Sequence, residues 1–133
     1  MMSAIGNIVI NDGAATPVAH TFSPVGINAA NVASWKDRSP AYPVGYNSLS
    51  LLLREPVNGS ASRNYKMSLK LVLPTIDTST GTPVKVYDAF ASAEFVIPEQ
   101  ATLQNRKDLL ALLKNALANA AITAAVQDLE NVY

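Results

Sequence analysis

The stretch NYKMSLKLVLP, Asn64 to Pro74, decides how this chain folds. Tyr65, Met67, Leu69, Leu71 and Leu73 alternate with Lys66, Ser68 and Lys70, so an extended backbone puts apolar groups on one face and ammonium groups on the other. That is a half-buried strand of an antiparallel sheet. The alternation alone requires only that the lysine face meet water; whether it meets an anion depends on its neighbours.

Upstream, Tyr46 to Glu55 repeats the pattern, with Leu49, Leu51 and Leu53 on one side and Ser48, Ser50, Leu52 and Arg54 on the other. The polar connection PVNGSAS joins the two strands. Before them, SPAYPVG (Ser39 to Gly45) holds two prolines and is no central strand, while NAANVASW predicts a strand ending near Trp35. At the start, Ile5 to Ile10 and Val18 to Phe22 predict a hairpin around the turn residues Asn11, Asp12 and Gly13.

Downstream, the loop TIDTSTGTP (Thr75 to Pro83) leads to Val84–Tyr87 and Phe90–Ile97, a last strand region interrupted near Asp88 and stopped by Pro98. The period then changes. Leu109, Leu110, Leu113, Ala116, Leu117 and Ala120 recur at three and four, a helix with Thr102 as its N-cap, and Ile122, Val126 and Leu129 predict a shorter second helix. Strands followed by helices argue for the α+β class: a hairpin, about five further strand segments and two helices.

At 133 residues the chain is read as a single domain, 1–27 hairpin, 28–98 sheet and 99–133 helices. Hydrophobic residues make up 49% and charged ones 15%, which excludes general disorder and leaves a surface poor in charge, as in a protein that assembles. The net charge is zero but sorted. Between Trp35 and Pro74, Lys36, Arg38, Arg54, Arg63, Lys66 and Lys70 face only Asp37 and Glu55, an excess of four positive charges balanced by four negative ones elsewhere. No apolar run is long enough to span a bilayer, and MMSAIGNIVIND lacks the basic start and unbroken apolar core of a signal peptide, so the chain is expected to stay soluble where it is made, with no membrane partner.

Catalytic ingredients are missing. There is no cysteine, the single histidine, His20, sits on a hairpin strand among apolar neighbours and reads as structural, and no nucleophile elbow or phosphate-cradling glycine motif occurs. One histidine and scattered carboxylates make no metal site, DTSTG lacks the ligand spacing of a calcium loop, and no cofactor is expected. Glu94 and Glu99 are separated by Pro98 and make no acid–base pair. What remains is the stripe Lys66, Ser68, Lys70. If the neighbouring strands share its sheet, Ser48, Ser50 and Arg54 join it on one side and Phe90, Ser92 and Glu94 on the other. Cations for phosphate, hydroxyls for phosphate or base edges and a ring for stacking are the groups that recognise RNA.

IVINDG (Ile8 to Gly13), NVASW (Asn31 to Trp35), RNYKMSLKLVLP (Arg63 to Pro74) and FVIPEQAT (Phe95 to Thr102), followed by a leucine-rich helix and a terminal Val132-Tyr133, resemble the coat proteins of the single-stranded RNA bacteriophages, the leviviruses. The resemblance implies an N-terminal hairpin, a five-stranded antiparallel sheet and two C-terminal helices. It also implies an intertwined homodimer in which two sheets join edge to edge and each subunit's helices lie over its partner's sheet. Dimers would build an icosahedral shell, the virion capsid, around genomic RNA. The partners implied are a second copy, the genome, a hairpin at the replicase start whose binding represses translation, and a maturation protein, with synthesis in the host cytoplasm.

By position, the resemblance carries RNA contacts to Ser48, Ser50 and Arg54 on a first strand, Lys66, Ser68 and Lys70 on a second, and Phe90, Ser92 and Glu94 on a third. Phe90 stands where relatives stack a base on tyrosine, and Leu52 where a polar residue is usual. The loop tip Thr78, Ser79, Thr80 and Gly81 matches the loop that meets its copies around the symmetry axes. Two readings from other classes remain: a single-stranded nucleic-acid-binding module that does not assemble, resting on the same strand face, and a structural β module of a different virus or surface appendage with no RNA role.

Overall fold

The computed structural model describes residues 4–57 and 63–133, so most of the PVNGSAS connection and the first three residues lie outside the described residues. The chain divides into two compact units, Met1–Val96 and Ile97–Tyr133. The first is built on strands β1 (Ile8–Asn11), β2 (Ala19–Ile27), β3 (Ala33–Asp37), β4 (Asn47–Arg54), β5 (Asn64–Asp77) and β6 (Val84–Pro98), in one sheet whose spatial order is the chain order. The ladders from β1 to β5 are antiparallel. The second unit holds helices α1 (Leu103–Leu117) and α2 (Ala120–Gln127).

The α+β class is the one expected from the sequence, but the strands among the described residues number six, and two boundaries moved for identifiable reasons. The hairpin is not a separate ribbon: β2 continues past Phe22 to Ile27 and pairs with β3. Pro24 and Gly26, which read as breakers, sit where the β2–β3 register shifts, and Gly26 takes φ 145 there. A bulge absorbs both residues without ending the strand. The expected interruption near Asp88 is also absent, because no proline or glycine lies between Val84 and Ile97; Asp88 is instead held by Lys85 at 3.0 Å. The β5–β6 connection shortens to 78–83, where Ser79 N–H donates to Asp77 Oδ1 (2.8 Å), Gly81 N–H donates to the Thr78 carbonyl (3.1 Å), and Gly81 adopts φ 83.

The core of the first unit lies on the leucine face. Phe22, Trp35 and Leu49 are buried together, with Ile5, Ile8, Ala33, Leu51, Leu69 and Leu71 packed against them. The Trp35 indole N–H donates to the Gly6 carbonyl at 2.8 Å, tying the N-terminal segment over the cluster. A second tie runs through His20, whose Nδ1 lies 2.7 Å from Asp37 Oδ2 and whose Nε2 lies 2.9 Å from Asp12 Oδ2. Both partners accept only, so the geometry calls for a proton on each nitrogen, an imidazolium. Asp37, 1% exposed, also accepts from Ser39 N–H (3.1 Å) and Asn47 Nδ2 (3.2 Å). Turn, β2, β3 and β4 are thus clasped by one ring. The two carboxylates sit at opposite ring nitrogens and converge on no common point, and no metal-holding group of acids and histidines occurs among the described residues.

In the second unit, Thr102 caps α1 as the sequence predicts, its Oγ1 accepting from Asn105 N–H at 3.2 Å, and Asn119 caps α2 in the same way through Ala121 N–H at 3.0 Å. Leu129 falls outside the second helix, at φ 56 beyond its C-cap Asp128. The helices meet at a bend of 59°. At 100° per residue, Leu103, Leu109, Leu110, Leu112, Leu113 and Leu117 cover about half of the circumference of α1. No residue of either helix is buried, and Leu103, Leu109, Leu110, Leu112 and Leu117 are exposed.

Candidate nucleic-acid interface

The β4–β5 ladder assembles the polar face. Its register sets Arg54 opposite Lys66, Leu52 opposite Ser68, Ser50 opposite Lys70 and Ser48 opposite Val72. Strand alternation turns all of these away from Leu49, Leu51, Leu69 and Leu71, which belong to the core. Serines and cations that are 12 or more residues apart in the chain therefore lie side by side. Leu52 and Val72 are the apolar residues in these rows.

The β6 strand brings the ring. Lys70 Nζ stands 5.5 Å from the centroid of Phe90, a cation–π contact, and so fixes Phe90 on the lysine face with 65% of the residue exposed. Ser92 and Glu94 follow it with period two and are exposed, alternating with Ala93, Phe95 and Ile97, which are not. All nine residues singled out from the sequence thus lie on strands of one sheet, and those of β4 and β5 are neighbours by register. The turn residues Thr78, Ser79, Thr80 and Gly81 sit apart from them, at the β5–β6 connection.

The face also holds residues that sequence reasoning did not place there. Lys36 pairs with Ser48 and Ser34 with Ser50 across the β3–β4 ladder, so β3 extends the surface by one strand. The signal was the alternation in Ser34-Trp35-Lys36-Asp37, hidden because the strand was read as ending near Trp35. Lys36 is exposed and has no ion pair among the described residues, whereas its sequence neighbour Asp37 points to the opposite side and is held by His20.

Electrostatically, the β3–β5 part of this face is one-signed. Lys36, Arg54, Lys66 and Lys70 lie on it and no carboxylate of β3, β4 or β5 does. Arg54 and Lys66 are directly opposed, a like-charge pair that costs stability unless an anion lies between them. The arrangement holds no nucleophile with an adjacent base. It is suited to gripping a polyanion while leaving a ring free to stack.

Comparison with known proteins agrees with this architecture. Residues 3–133 match the family model described as levivirus coat protein. The capsid protein of Pseudomonas phage PRR1 is 32% identical over 117 residues, 84% of this chain and 83% of its own length. Among solved structures, the virus-like particle of bacteriophage ESE058 matches with a TM-score of 0.90 at 35% identity, over 98% of this chain and 100% of its own. That of bacteriophage NT-214 matches with a TM-score of 0.87 at 30% identity, over the same shares. With the sheet, the two capped helices and the family match in agreement over nearly its whole length, the chain belongs to the levivirus coat proteins, a family of structural capsid proteins and not of enzymes.

Proposed function

We propose that this chain is the shell subunit of a small RNA bacteriophage, a single coat-protein domain that dimerises, assembles into an icosahedral capsid and packages genomic RNA against its lysine face. The observation that carries the RNA role is the sorting of the sheet, cations and serines on one face and the leucine core on the other. Dimerisation is supported by two unsatisfied features. The β6 strand ends the sheet order with 15 residues, an edge of that length needing cover, and most of the leucine arc of α1 is exposed. A second copy supplies both, by joining β6 edges and laying its helices over this sheet.

Within this reading Ser48, Ser50, Arg54, Lys66, Ser68 and Lys70 hold phosphate and base edges, Phe90 stacks an unpaired base, and Ser92 and Glu94 border it. The same face would hold the replicase-start hairpin and so repress translation. The turn Thr78–Gly81 makes contacts between dimers, the maturation protein joins the virion, and the subunit is made in the host cytoplasm.

Expression of the chain in bacteria, followed by size-exclusion chromatography read at two ultraviolet wavelengths, tests this. Void-volume particles rich in RNA are expected from the wild type. Lys66→Glu with Lys70→Glu, which inverts two charges per subunit on the proposed RNA wall, should leave the protein folded and strip most of the RNA from whatever particles form. An unchanged RNA content in the double variant would remove the face from the RNA role, and a small species free of RNA from the wild type would count against packaging by the chain alone. Deleting Ser79 and Thr80 should impair particle formation while the protein still folds; particles of normal yield would exclude the turn from inter-dimer contacts.

A further inference from the structure

The polar face extends onto a fourth strand, β3. Two rows of residues cross the polar face through β3: Ser23, Lys36, Ser48 and Val72 in one, and Gly26, Ser34, Ser50 and Lys70 in the next. Lys36 faces Ser23 and Ser48 across the two ladders and shares the face with Ser34, side chains too short to bury its stem. The charge nearest it in sequence is withdrawn, because Asp37 is on the other face and hydrogen-bonded to His20, Ser39 and Asn47.

Resting on the reading that this face meets RNA, we propose that Lys36 is a phosphodiester-binding residue, with the Ser34 and Ser48 hydroxyls as its hydrogen-bonding neighbours, carrying the RNA across β3 toward the β1–β2 hairpin. Lys36 and Lys70 lie on strands two spacings apart, about 10 Å, so the two ammonium groups serve separate phosphates. Lys36 reads no base: no ring stands in either row, and its contact is with the backbone only.

The test is the salt dependence of binding between the full-length protein and a fluorescent oligouridylate, a single strand with no hairpin, with light scattering to hold the assembly state equal. Lys36→Gln should lower the slope of log affinity against log salt by about 0.7 per lost contact, and Lys36→Arg should restore it. Lys66→Gln serves as the comparison. If it lowers the slope while Lys36→Gln leaves it at the wild-type value, the RNA path stops short of β3, and this inference fails while the RNA face stands. If neither variant changes the slope, the reading of the face fails and the inference with it.

Discussion

Replacing Trp35 with alanine should remove a large share of the stability of the fold. The cluster it joins is small, and Trp35 is its largest side chain, touching the sheet from β3 and holding the N-terminal segment through the 2.8 Å bond to Gly6. Removing a buried tryptophan costs about 3–5 kcal/mol, against about 5–15 kcal/mol for a whole domain. Trp35→Phe keeps the ring but strands the Gly6 carbonyl, and should cost about 1 kcal/mol. The chain has a single tryptophan, so fluorescence disappears with it and far-UV circular dichroism in urea is the measurement to use. A wild-type urea midpoint for Trp35→Ala would mean that the core is held elsewhere.

The second large effect is on the His20 clasp, and its sign follows from the direction of each shift. Hydrogen bonds to Asp12 and then Asp37 raise the His20 pKa above its ordinary 6.5. The imidazolium therefore contributes stability that is fully present below pH 6.5 and lost as pH rises through the raised folded-state value. Asp12 behaves oppositely. The Val18 N–H, then His20 and the Ala14 N–H, lower it from 3.8 to about 2, so its contribution is present above pH 3.8 and lost as pH falls toward 2. Burial pushes the Asp37 carboxyl up, but hydrogen bonds from Ser39, His20 and Asn47 outweigh it and hold the group below its ordinary value. The clasp is strongest between pH 3.8 and 6.5.

The wild-type urea midpoint is accordingly expected to fall from about pH 6 to about pH 9, and the His20→Gln midpoint to stay level. Asp37→Asn should cost about 2–3 kcal/mol at neutral pH, since it removes the charge that a buried, fully bonded site was built around. A wild-type midpoint that does not move over that range would show that His20 contributes the same neutral as charged.

Most of the candidate face was legible in the sequence because period two fixes sides without any knowledge of partners. Once Lys66, Ser68 and Lys70 shared a face, the same rule assigned Ser48, Ser50 and Arg54, and only the pairing of the two strands remained to be found. The register supplied it. What the sequence hid were features set by contacts distant in the chain. Pro24 and Gly26 end a strand in isolation, but in a sheet they sit in a bulge, because the strand beyond them still gains pairing with β3. Lys36 was invisible as part of the face for the same reason, its strand extending as far as β4 could pair with it. His20 read correctly as structural, but its two aspartates, 8 and 17 residues away, carry no local mark.

The order of the strands bears on how the subunit comes into being. Each of the six is hydrogen-bonded only to the strands made immediately before and after it. Pairings between sequence neighbours close short loops and cost little chain entropy, so this sheet avoids the slow search that distant strand pairing imposes on most β proteins. It can grow by one strand at a time as the chain leaves the ribosome, and no strand has to wait for a partner that has not yet been synthesised.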